Sequence, residues 1–187
     1  MSYTRHMARS VFAVALCVLL ATPAGAITVA PLTFTELVHA SALVLYVRVS
    51  DVRGQWTEDR QGIESVVTAD VLSVFKGSPG ATVTLTLPGG QVGRYRNVLP
   101  GAPSLSTGDL VVVFLTARGP RLPITTGLTQ GVYRVTVDAH TGVIVAPPIL
   151  DDAGGGNPRI VRGDPQRKPM GLAAFEAAVK TAGEATR

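Results

Sequence analysis

Ala42-Leu43-Val44-Leu45-Tyr46-Val47-Arg48-Val49-Ser50-Asp51-Val52 decides how this chain folds. β-Branched and aromatic residues dominate it, which suits a pleated, packed surface better than a helix. Its first half is apolar without interruption, as in a strand buried on both faces. Its second half alternates, as in a strand with one wet face. Leu110-Val111-Val112-Val113-Phe114-Leu115 repeats the uninterrupted pattern and predicts a central strand. Val83, Leu85 and Leu87 alternate with Thr82, Thr84 and Thr86, which predicts a half-buried strand.

Outward from these segments, residues 63–75 read as a strand long enough to need a bend or bulge. Lys76-Gly77-Ser78-Pro79-Gly80 follows as a turn, and Pro88-Gly89-Gly90 ends the threonine-rich strand. Residues 91–98 predict a further strand carrying Arg94, Tyr95 and Arg96, and residues 101–108 a loop. Residues 131–137 and 143–145 predict a hairpin around Asp138-Ala139-His140-Thr141-Gly142. Thr33 stands three residues before Glu36, the spacing of a capping box, and opens a short helix over Phe34–Ala40. Leu172, Phe175 and Val179 share one helical face and predict a C-terminal helix within residues 170–187. The expected fold class is mainly β: a small antiparallel barrel of about six or seven strands, bracketed by the two helices.

The chain divides into four parts by composition. Met1 to Arg9 is short and basic, Val11-Phe12-Ala13-Val14-Ala15-Leu16-Cys17-Val18-Leu19-Leu20-Ala21 is apolar, and Ala24-Gly25-Ala26 is a small-residue exit. That order predicts a signal peptide over residues 1–26 and an exported product, periplasmic or extracellular. The apolar run is too short to span a bilayer, so no stable membrane insertion is expected after cleavage. Residues 27–150 form the expected barrel domain. Residues 151–169, with Gly154-Gly155-Gly156-Asn157-Pro158, read as a flexible linker. Cleavage lowers the formal charge from +4 to +2, because Arg5 and Arg9 leave, and removes Cys17, the one cysteine. A disulfide framework and cysteine-based zinc sites are excluded, and a modest, scattered charge disfavours nucleic acid as a partner.

Several segments taken together resemble the OB-type barrel of netrin-like domains, which include the tissue inhibitors of metalloproteinases. They also resemble exported bacterial proteins of unassigned function. The matching features are the short helix, the strand ending at Phe75-Lys76-Gly77, and Gly108-Asp109 before Val111, Phe114 and Leu115. They span residues 33–137 and are structural rather than chemical. The resemblance implies a non-enzymatic module that binds a protein partner, with a secreted protease as the kind of target. The inhibitors chelate the protease's zinc through an N-terminal cysteine. The expected mature start here, Ile27-Thr28-Val29-Ala30-Pro31, has none.

Catalytic motifs are sparse. Gly-x-Ser-x-Gly and His-Glu-x-x-His are absent from the sequence. No catalytic residue, metal ligand or cofactor is therefore expected. The alternatives to a binding module are a secreted hydrolase and a structural envelope component. The hydrolase would need His39 or His140 beside Asp70, Asp109 or Asp138, and the envelope component would dock through its C-terminal helix. Asp151-Asp152, the glycines of 89–93 and Arg162-Gly163-Asp164 read as loop sequence rather than ion, phosphate or adhesion sites. Two candidate interaction surfaces remain. One is Arg94-Tyr95-Arg96. The other is the apparent loop Arg53-Gly54-Gln55-Trp56-Thr57, which holds the sole tryptophan. Arginine, tyrosine and tryptophan are the residues enriched at binding hot spots.

Overall fold

The computed structural model describes residues 31–139, 142–148 and 167–185. The expected signal peptide, His140, Asp151-Asp152, Arg162-Gly163-Asp164 and all of the expected linker before residue 167 lie outside the described residues. Helix α1, Phe34–Ala40, opens with the expected capping box. The Glu36 N–H donates to Thr33 Oγ1 at 3.2 Å, and the Thr33 N–H donates to Glu36 Oε2 at 2.7 Å. These bonds to Thr33 hold the Glu36 carboxyl below its ordinary pKa.

Strands β1 (Leu43–Trp56) and β2 (Ile63–Lys76) form a long antiparallel ribbon. Strand β3 (Thr82–Pro88) pairs with β2 and completes a meander. Two short strands follow, β4 (Gly90–Val92) and β5 (Tyr95–Asn97), paired only with each other. Strand β6 (Leu110–Arg118) then returns beside β1, giving the order β6-β1-β2-β3 of a Greek key. Strand β7 (Arg121–Thr125) turns back from β6 and meets β3 in parallel at Thr86 and Ile124. The five strands β1, β2, β3, β7 and β6 thus close a ring.

Closing so few strands demands strong bending. The β1–β2 ladder supplies it with three register shifts, which place extra residues at Leu72 and Phe75 of β2 and at Ser50 of β1. The expected bulge is therefore present, distributed over three points. A 3₁₀ turn, Leu128–Gly131, leads to a branch from the first half of β6. The branch consists of β8 (Val132–Asp138), β9 (Gly142–Ala146) and β10 (Met170–Gly171). Helix α2, Leu172–Glu184, ends the described chain.

Two cores explain the uninterrupted apolar runs. Inside the ring lie Leu45, Val47 and Val49 of β1, Val111, Val113 and Leu115 of β6, and Val83, Leu85 and Leu87 of β3. The other faces of the same strands point to the helices: Val44 and Tyr46, then Val112 and Phe114. A strand with both faces buried has no polar position to alternate with. The ring interior is wholly aliphatic, as its narrow bore requires. The aromatic residues gather outside it, where Phe175 of α2 meets Phe34, Phe75, Phe114 and Tyr133 at centroid distances of 5.3 to 6.2 Å. Phe175, Val179 and Ala182 of α2 are all buried against this layer. The C-terminal helix packs on the outer face of the ring's strands, so its apolar face is already occupied.

Three expectations need correction. Residues 53–56 are not a loop but the end of β1, continued by pairing with residues 63–66 of β2. Residues 91–98 are not one strand, because Gly93 at φ +56° and Arg94 turn the chain back between β4 and β5. Strand β7 has no counterpart among the predicted strands.

Candidate functional site

Eight aromatic residues lie in the described chain, and six of them fill the outer core. The other two are Trp56, 42 % exposed, and Tyr95, 50 % exposed. They sit together, with ring centroids 5.6 Å apart in an edge-to-face arrangement. The Arg94 guanidinium lies 5.1 Å from the Tyr95 ring centroid, and its Nη2 donates to the Tyr95 hydroxyl at 3.0 Å. The structure therefore joins the two surface candidates, Trp56 and Arg94-Tyr95, into one patch.

The ribbon and the small hairpin create this patch. Beyond the ring, β1 and β2 continue as a two-stranded arm from Arg53 to Trp56 and from Ile63 to Val66. The β4–β5 hairpin lies across that arm at Gly54. A Cβ there would overlap the Gln91 carbonyl oxygen, so a hydrogen at that position is what lets the two backbones meet. On the other strand of the arm, the Ser65 hydroxyl donates to the Gly89 carbonyl at 2.9 Å and the Gly89 N–H donates to the Ile63 carbonyl at 3.0 Å. Gly89 itself sits at φ +86°, which glycine tolerates without strain.

The tip of the arm is ordered by its own side chains. Thr57 Oγ1 donates to Asp59 Oδ1 at 2.6 Å and accepts from the Gly62 N–H at 3.0 Å. The Gln61 N–H also donates to Asp59, at 3.1 Å. The Thr57 hydroxyl first, then the Gln61 N–H, hold the Asp59 carboxyl below its ordinary pKa. Glu58 reaches Arg121 of β7 at 3.5 Å, an exposed pair that links the arm's tip to the ring.

Beside the patch, a pocket of about 160 Å³ opens between the hairpin, the end of β3 and the loop leading to β6. Val52, Leu87 and Leu105 contribute apolar walls, and Arg96 and Asn97 contribute polar ones. That loop is anchored by Asp109, which accepts from Arg134 at 2.5 Å and from the Ser106 N–H at 2.9 Å. Arg96 thus belongs with the pocket, on the opposite face of β5 from Tyr95. The pocket went unread in the sequence because its walls come from four separate segments. Gly54 was the available signal only for the hairpin's approach to the arm: an isolated glycine inside a strand marks a close backbone approach.

Of the residues a hydrolase would need, His140 lies outside the described residues, and His39 stands apart from Asp70 and Asp109. His39 is exposed at the end of α1, near Thr116, whose hydroxyl bonds to the Ala40 carbonyl at 3.3 Å. Asp109 precedes Leu110 at the opposite end of β6, roughly 20 Å away at a strand rise of about 3.3 Å per residue. Asp109 is also engaged by Arg134, and Asp70 stands opposite Arg48 on the ribbon. Among the described residues, no three His, Cys, Asp or Glu side chains gather as a metal site would need, and no helix is long and apolar enough to cross a membrane. No family pattern, curated protein or solved structure matches this chain.

Proposed function

We propose that this protein is an exported, non-enzymatic binding module that presents Trp56, Arg94 and Tyr95 to a protein partner. The carrying observation is the sorting of the aromatic residues. Six are buried, while two are left exposed, in mutual contact and beside a cation. Exposed aromatic and arginine side chains on an ordered scaffold are the chemistry of interface hot spots. The scaffold supports the same reading. A five-strand Greek-key ring, held by a single pair between β3 and β7, is what an OB-type barrel would provide. Barrels of that type bind through the loops between their first two and last two strands. Here those turns are residues 57–62 and 119–120. Trp56 stands at the root of the former, and Glu58 and Arg121 tie them together.

A secreted protease remains the partner class that the netrin-like resemblance implies. Affinity capture from the exported fraction tests the proposal. Wild-type protein should retain a partner that Trp56→Ala or Tyr95→Ala binds roughly tenfold more weakly or worse, the scale of a hot-spot residue. Leu72→Ser, on the exposed side of β2, should leave capture unchanged. Equal capture by all four proteins would refute it.

A further inference from the structure

We infer that the pocket beside the patch receives the C-terminal residue of the partner polypeptide, an apolar side chain with its α-carboxylate on Arg96. The inference rests on the proposed binding role and names what the patch recognises. At about 160 Å³ the pocket is smaller than the roughly 300–1,000 Å³ typical of small-molecule sites, so it suits one side chain rather than a cofactor. Val52, Leu87 and Leu105 give it apolar walls.

The charge of the lining selects the rest of the ligand. Arg96 is the cation of the pocket, and no Asp or Glu lines it. Neither Arg96 nor the Asn97 amide has a hydrogen-bond or ion-pair partner among the described residues. Two donors, one of them a guanidinium that can grip a carboxylate through paired N–H bonds, therefore flank an apolar hollow with no anion of their own. A ligand that matches must carry an apolar group and a carboxylate within one pocket's reach. The last residue of a polypeptide carries both on one Cα. Arg96 and Tyr95 face opposite sides of β5, so the preceding residues would pass over that short, exposed strand to reach Tyr95, Arg94 and Trp56. A small free acid would leave that adjoining surface unused.

Two pools of short fluorescein-labelled peptides test this by anisotropy. Both are degenerate in sequence and end in Leu, one as the free acid and the other as the amide. The free-acid pool should bind saturably and the amide pool at least about tenfold more weakly. Arg96→Gln, at an exposed position, should keep its fold by circular dichroism and lose the acid-over-amide preference. Trp56→Ala should weaken both pools. Equal binding of acid and amide, or no binding of either, overturns the inference, and so does N-acetyl-leucine binding as tightly as the peptides. Capture of a partner that depends on Trp56 and Tyr95 but ignores Arg96→Gln overturns this inference alone. Capture that ignores Trp56 overturns the proposed function with it.

Discussion

Gly54 is the residue on which the patch most depends, because a side chain there would push the β4–β5 hairpin off the backbone of β1. Gly54→Ala should displace the hairpin and separate Tyr95 from Trp56 while leaving both cores intact. The readout is the emission of Trp56, the sole tryptophan, which should shift without a matching fall in thermal midpoint. An unchanged emission spectrum would show that the hairpin is held some other way. Trp56→Ala itself should cost roughly 1–3 kcal/mol of stability, below the range for a fully buried tryptophan, since the residue is 42 % exposed and pairs with Tyr95. Asp59 adds a pH term. Its folded pKa is depressed, so its support of the arm's tip is complete above the ordinary value of 3.8 and is lost as pH falls through the lower folded value. Carboxyl-carbon NMR should find Asp59 titrating below 3.8, and Thr57→Val should move it upward. Titration at the ordinary value would remove the hydroxyl's role.

At the scale of elements, the two helices close the outer core that β1, β6 and β8 leave open. Phe175 of α2 is fully buried among four aromatic rings, so Phe175→Ala should cost roughly 3–5 kcal/mol, the range for emptying a large aromatic site. Urea denaturation should show that loss with an unchanged slope, and a loss under about 1 kcal/mol would mean that α2 is not part of the core. Elements governed by local chemistry were legible in the sequence. The Thr33–Glu36 capping box fixes the start of α1, and the alternation of 82–87 fixes β3, because neighbouring residues alone dictate both. Strand β7 was not legible. It has five residues, one of them Pro123, and meets β3 at one pair, so tertiary closure rather than local preference makes it a strand. The arm was misread for a related reason. Residues 53–56 carry polar side chains and a glycine, as loops do, because they have left the ring and pair over water. Trp56 and Tyr95 could be named from the sequence as surface anchors. Their contact could not, since it requires the hairpin to fold back over the arm.

For the molecule as a whole, the two cores and the proposed binding surface are largely separate parts of the fold. The aliphatic ring and the aromatic outer layer hold the fold without any cysteine after the expected signal. The arm and the hairpin extend beyond the ring, the loop pinned by Asp109 sends Leu105 into the ring core, and between them they expose the patch and its pocket. On the proposed function, this surface is free in the protein alone and covered in the complex. Acrylamide quenching of Trp56, with and without the captured partner, reads this out. Trp56 should be readily quenched in the free protein and several-fold less quenched once the partner is bound. Equal quenching in the two states, or a tryptophan already shielded in the free protein, would contradict it.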